Sequence, residues 1–122
     1  MGKLMLAWFN VTLATLGSAE SQPHNSTESA VPFVGCMSDG QVGPQAAPVI
    51  ENTPVLPTNM AQRLAYYAAS GAPGVLAPRG WHCFGLYGSN GSRLIVVPRP
   101  LASNDFFGKQ QFRAAGPVVE LA

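Results

Sequence analysis

The chain has 122 residues, a formal net charge of +1 and only 11% charged side chains. This length predicts a single domain, and the low charge excludes a disordered polyelectrolyte. Lys and Arg are scattered along the sequence and form no basic run. Because nucleic-acid binders concentrate positive charge on one face or segment, we expect no nucleic-acid partner.

The first nineteen residues have the three zones of a secretory signal peptide. Lys3 supplies a positive start, residues 4–16 are mainly apolar, and a small-residue stretch ends at Ala19. A buried core helix and a membrane anchor are the alternatives, but the apolar run is shorter than the ~20 residues that span a bilayer. We therefore expect cleavage after Ala19, a secreted or periplasmic protein, and no stable membrane anchor once the signal is removed.

Residues 20–31 are polar and lack periodicity, which predicts a flexible leader. The domain then covers residues 32–122. Its first element is a short strand over residues 32–36, followed by a turn-rich stretch over residues 37–48. Two apolar pairs at residues 49–50 and 55–56 are cut off by prolines and suit edge strands or extended connections.

The two cysteines, Cys36 and Cys83, both follow the signal sequence. In an oxidising compartment, two cysteines allow one intramolecular bridge, and we expect a structural disulfide. Free buried thiols are one alternative. A catalytic or metal-binding cysteine beside His82 is another, but the spacing matches no zinc motif, so the sequence predicts no metal site and no cofactor.

Residues 60–70 have the features of a helix. Asn59 and Gln62 give a capping-box pattern, and Met60, Leu64, Tyr67 and Ala68 fall on one stripe at helical spacing. Gly71 occupies the position of a left-handed C-cap. The pattern therefore predicts one short helix over residues 60–70.

Residues 81–97 have the features of a β-hairpin. An aromatic run at residues 81–88 and an apolar run at residues 93–97 flank Asn90 and Gly91, a pair that favours a tight turn with positive φ at both residues. Alternation places Trp81, Cys83 and Tyr87 on one face, and His82, Phe84 and Leu86 on the other. Both faces are mostly apolar, so the hairpin is expected to be central in a sheet.

Residues 103–112 are compatible with a capped helical turn or a loop, and residues 118–122 with a strand. Together these elements predict a small, mostly β domain of the α+β class, with a central hairpin, one helix and one disulfide. The chain ends within an apolar pattern, which suggests a fragment or a shortened form.

Three segments carry a resemblance to a known family: FVGCMSDGQVGP, AQRLAYYAASGAPGVLAPRGWHCFGLYGSNGSRLIVVP and FRAAGPVVEL. They resemble a family of uncharacterised bacterial secreted proteins that share VGCxSDGQxGP and GVLAPxGWxCxxxYGSNGS segments. The resemblance runs from about Pro32 to Leu121 and includes both cysteines, which supports their pairing. It implies that the chain is truncated, and it supplies no activity and no catalytic residues.

Two functional hypotheses follow. The first is a non-catalytic module that binds a protein or an envelope component through Arg79, Trp81, Tyr87 and Arg93, residue types found at binding hot spots. Core packing of Trp81 and Tyr87 is the alternative for those two side chains. The second is a hydrolase whose site uses Ser38, Asp39 and His82 and is completed by residues beyond Ala122. The sequence leaves open whether the protein is an enzyme.

Overall fold

The computed structural model describes residues 17, 27–108, 112–113 and 116–122. The predicted signal peptide, its cleavage site at Ala19 and most of the predicted leader lie outside the described residues. Nine strands and two short helices follow one another along the described part of the chain: β1 (Glu28–Ala30), β2 (Phe33–Cys36), β3 (Ser38–Gly40), β4 (Val55–Pro57), α1 (Thr58–Ala61), β5 (Leu64–Ala69), β6 (Val75–Pro78), β7 (His82–Gly88), β8 (Gly91–Val97), α2 (Asn104–Phe107) and β9 (Val119–Leu121).

The strands form three sheets, with the orders β1-β4, β2-β5-β6 and β3-β7-β8-β9. The β2–β5 and β3–β7 pairs are parallel, and the other pairs are antiparallel. The fold is therefore the small, mostly β domain of the α+β class that the sequence predicts. The hairpin is confirmed as β7–β8, and its two strands occupy the centre of the four-stranded sheet.

The chain passes from one sheet to another at Met37. Cys36 ends β2 in the three-stranded sheet, and Ser38 begins β3 in the four-stranded sheet. The Met37 carbonyl accepts a hydrogen bond from the Gly85 amide at 2.9 Å, which holds this crossing against β7. The two larger sheets are thus joined by continuous backbone at one edge.

The predicted disulfide between Cys36 and Cys83 is present at this crossing, with a Cα–Cα distance of 5.4 Å and a sequence separation of 47 residues. It links β2 in one sheet to β7 in the other. The bridge lies among a core of buried side chains from both sheets, which are Ala65, Tyr67, Ala69, Ala77, Leu94 and Val96. A disulfide of this kind indicates an oxidising, extracytoplasmic compartment.

Gly85 allows the two sheets to approach each other beside the disulfide. A Cβ at this position would lie 2.6 Å from the Ala69 Cβ and 2.9 Å from the Ser38 Cβ. Both distances are shorter than real carbon contacts, and both neighbours are fixed on strands. The Ala69 and Ser38 side chains therefore occupy the space that a side chain at position 85 would need.

The helix predicted over residues 60–70 is wrong. The structure has a four-residue helix, α1, and then a strand from Leu64 to Ala69. Ala65, Tyr67 and Ala69 alternate into the core, which is a period of two rather than 3.6. Pairing with β2 and β6 decides the structure here, because apolar residues in an Ala- and Tyr-rich segment satisfy both periods. Gly71 has the expected positive φ of 75°, but it turns the chain between β5 and β6.

Three smaller corrections concern the N-terminal part of the domain and the hairpin turn. The leader predicted to run to residue 31 ends earlier, because Glu28–Ala30 pairs with β4 and Val31 is only 2% exposed. The turn-rich stretch over residues 37–48 contains β3, which adds to β7. In the hairpin, Ser89 and Asn90 form the turn, and positive φ occurs at Gly91 alone.

Candidate functional site

The four-stranded sheet has an inner face that meets the core and an outer face that carries a depression. Register places Phe84 opposite Ile95, Leu86 opposite Arg93 and Ile95 opposite Glu120, so these side chains share the outer face. The segment around α2 covers part of this face, because the Phe106 ring stacks on Phe84 with their centroids 5.3 Å apart. The outer face is closed near Phe84 and open toward the hairpin turn.

The open part is a depression of about 860 Å³, which we call the outer groove. Its apolar wall and floor come from α2 and β7, and its rim from the hairpin turn. The main lining residues are Leu86, Tyr87, Ser89, Asn90, Arg93, Phe106 and Phe107. A smaller depression of about 410 Å³ adjoins it and shares Leu86, Arg93 and Phe106.

Arg93 and Glu120 form an ion pair on the floor where the two depressions meet. The Arg93 Nε donates to the Glu120 Oε1 at 2.8 Å, and the Arg93 Nη2 donates to the same oxygen. Their side chains are 54% and 38% exposed, so the pair stays in contact with solvent. A guanidinium has five N–H donors, and the contacts with Glu120 leave several of them for a ligand.

A second set of contacts holds α2 on the outer face. The Ser103 hydroxyl donates a hydrogen bond to the Asp39 Oδ2 at 2.9 Å. The Arg99 Nη1 forms an ion pair with the Asp105 Oδ1 at 3.5 Å. Arg99 also lies over the Phe112 ring, 5.2 Å from its centroid. Phe107 is 58% exposed beside these contacts. An exposed phenylalanine on a well-anchored wall is available for contact with a partner.

The four residues predicted as a binding surface lie in two separate places. Trp81 immediately precedes β7 and Tyr87 lies near its other end, so about 20 Å of strand separates them. Tyr87 and Arg93 both line the outer groove. Trp81 packs against the core, and the Arg79 Nε donates to the Leu64 carbonyl at 3.1 Å, which fixes the start of β5.

The residues of the hydrolase hypothesis are not brought together. Ser38 is 3% exposed on the inner face, and its Oγ has no hydrogen-bond partner among the described residues. Asp39 pairs with Leu86 on the outer face, and Leu86 lies four positions along β7 from His82, which corresponds to about 13 Å. The Ser38 hydroxyl therefore has no acid or base within hydrogen-bonding distance among the described residues.

Tyr67 is the described residue whose ionisation the fold changes most clearly. Its ring is fully buried, its hydroxyl donates to the Pro78 carbonyl, and it accepts a hydrogen bond from the Trp81 amide at 3.2 Å. Burial raises the pKa of the Tyr67 phenol, because the charged form loses its hydration. The phenol is thus a structural donor within the core.

Sequence reasoning missed Phe106 and Phe107, which build the wall of the outer groove, and Glu120, which lines the adjoining depression. The adjacent phenylalanines within the polar segment SNDFFGKQQF were the available signal, because a surface turn seldom needs two large apolar side chains. The pairing of Arg93 with Glu120 depends on the β8–β9 register, which sequence patterns do not specify.

Comparisons of this chain with protein-family models, with curated proteins and with solved structures find no match. Within the residues that the structure describes, no helix has the length and apolar character needed to cross a bilayer.

Proposed function

We propose that this chain is a secreted or periplasmic, non-catalytic binding module, and that the outer groove is its contact surface for a protein or another envelope component. The observation that carries the proposal is the combination of an open, largely apolar depression of about 860 Å³ with an exposed aromatic side chain, Phe107, and a partly exposed arginine, Arg93. Aromatic and arginine side chains are enriched among residues that dominate binding energies.

The scaffold beneath the groove supports this proposal. β7 supplies both the floor of the groove and Cys83, so the disulfide fixes the strand that carries Leu86 and Tyr87. The Tyr87 hydroxyl in turn donates to the Gly43 carbonyl and fixes the adjoining loop. A preorganised surface loses less conformational entropy on binding, which favours recognition by a small domain.

The experiment is site-specific photocrosslinking in the compartment where the protein accumulates. A photoreactive amino acid replaces Ser89 on the rim of the groove, and a matched variant carries it at Val49, which is 92% exposed and lies outside the groove. We expect a discrete crosslinked species from position 89 and not from position 49. Equal products from both positions, or none from position 89 with folded protein present, would contradict the proposal.

A further inference from the structure

The hairpin turn carries a reactive pair that the proposed function does not use. Of the six asparagines in the chain, Asn90 alone is followed by glycine. Asn90 is exposed on the two-residue turn between β7 and β8, where it forms part of the rim of the outer groove. Its carboxamide has no hydrogen-bond partner among the described residues, so the side chain is free to rotate toward the backbone.

The residue that follows Asn90 is a glycine that begins β8 and pairs with Gly88 at the end of the ladder. Gly91 has φ of 114°, and no atom beyond Gly91 and its two chain neighbours lies within 4 Å of the position where a Cβ would stand. Without a side chain, the Gly91 amide nitrogen is accessible to the carboxamide carbon of the preceding residue. These are the requirements for an intramolecular attack that forms a five-membered ring.

The Asp39–Gly40 pair shows what a blocked site of the same kind looks like. The Gly40 amide donates to the Asp39 Oδ1 at 2.8 Å, and Ser103 holds the other carboxylate oxygen. A Cβ on Gly40 would lie 2.0 Å from the Tyr87 carbonyl oxygen, so the backbone there has no room to move. By contrast, the Asn90 carboxamide has no such partner among the described residues, and the space around a Cβ position at Gly91 is open.

We infer that Asn90 is a site of spontaneous deamidation. The Gly91 nitrogen, after losing its proton, attacks the Asn90 Cγ, a C–N bond forms, and the side-chain nitrogen leaves with protons from solvent as ammonia. Water then adds to either carbonyl of the resulting succinimide, and ring opening gives aspartate or isoaspartate. No redox change occurs. The product adds one negative charge to the rim of the groove, which Arg93 also lines. Any effect of this charge on binding rests on the proposed function, whereas the deamidation itself does not.

Peptide mapping of the full chain tests this inference. The protein is incubated in mildly alkaline buffer, reduced, alkylated and digested with trypsin. Asn90 is then the sole asparagine of the peptide Gly80–Arg93, and Asn104 is the sole asparagine of the peptide Leu94–Lys109. We expect the first peptide to convert at least about tenfold faster, which corresponds to a barrier lower by about 1.4 kcal/mol. In heavy-oxygen water the product should gain one labelled oxygen and include isoaspartate.

A matched variant, Asn90→Gln, should abolish the rapid phase, because the longer side chain forms a less favourable six-membered ring. Equal conversion of the two wild-type peptides in the folded chain would overturn the inference. So would a product that contains aspartate without isoaspartate, because direct hydrolysis of the amide gives that result. The readout is a peptide mass and does not depend on whether the outer groove binds anything.

Discussion

The two faces of the four-stranded sheet differ in how completely they are filled. On the inner face, Leu94 and Val96 are 2% and 0% exposed and pack against the disulfide and the opposite sheet. On the outer face, Phe84 and Ile95 are buried beneath α2, but the same face opens into a groove at Leu86 and Arg93. The inner face of the hairpin is therefore covered along its length, whereas the outer face is covered at one end and accessible at the other.

This difference follows from the lengths of the covering elements. A whole sheet covers the inner face, whereas a four-residue helix and the segment around it cover the outer face. So short a helix cannot fill a face that four strands build, and the remainder is left as a depression. Substitutions on the inner face should therefore affect stability most, and those in the groove should affect binding.

The largest expected effect comes from removing the disulfide. The double substitution Cys36→Ala, Cys83→Ala should lower the free energy of unfolding by about 4 kcal/mol, because the unfolded chain regains the freedom of a long closed loop. Urea titration monitored by circular dichroism measures this change. The reduced wild-type protein is the control and should match the variant. A variant as stable as the oxidised protein would show that the disulfide contributes little to the free energy of unfolding.

The next effect is expected from Gly85→Ala, which places a methyl group 2.6 Å from the Ala69 Cβ. We expect a loss of about 1–3 kcal/mol in the free energy of unfolding, since both strands are held in place. Gly88→Ala is the matched control on the same strand, because no atom beyond Gly88 and its two chain neighbours lies within 4 Å of its Cβ position. If both variants unfold at the same urea concentration, this result would contradict tight packing of the two sheets at Gly85.

A smaller effect is expected from Tyr67→Phe, which leaves the Pro78 carbonyl and the Trp81 amide without their partner. The expected cost is about 1–2 kcal/mol at neutral pH. Burial raises the folded-state pKa of Tyr67 above its ordinary value of 10.0, so the neutral phenol stabilises the fold fully below pH 10. This contribution is lost as the pH rises from there through the folded-state pKa. Chemical unfolding from pH 8 upward should therefore show a steeper loss for the wild type than for the variant.

The smallest effect on stability is expected from Arg93→Ala, whose ion pair with Glu120 is largely exposed. The free energy of unfolding should change by less than about 1 kcal/mol, because solvent screens such pairs. The same substitution should lower the crosslinking yield from position 89. The substitution Arg93→Lys keeps the positive charge but lacks the planar guanidinium, so it should give a yield between those of Arg93→Ala and the wild type. An unchanged yield in Arg93→Ala would remove this residue from the contact surface.

The sequence specifies local features of this fold better than its long-range pairings. The β7–β8 hairpin follows from two apolar runs around a turn signal, and the disulfide follows from two cysteines that come after a predicted signal peptide. The β5 strand was missed because its apolar residues fit a helical stripe as well as an alternating one. Only the neighbouring strands β2 and β6 favour the extended form.

The candidate site was predicted in part. Tyr87 and Arg93 were identified by residue type and do line the outer groove, whereas Arg79 and Trp81 lie beyond the other end of β7. The ion pair of Glu120 with Arg93 joins two residues that lie 27 positions apart in the sequence and meet only through strand pairing. Phe106 reaches the groove through its stacking on Phe84. Neither contact has a periodic signature, so composition and spacing do not reveal it.

The division between the two faces is tested most directly by crosslinking yield from position 89 in two backgrounds, Phe107→Ala and Tyr67→Phe. Each yield is normalised to the amount of folded protein. We predict that Phe107→Ala, on the exposed wall of the groove, reduces the yield severalfold without changing the urea midpoint, and that Tyr67→Phe lowers the midpoint while leaving the normalised yield intact. Equal yields in both backgrounds, or a loss that follows stability alone, would contradict a binding role for the outer groove.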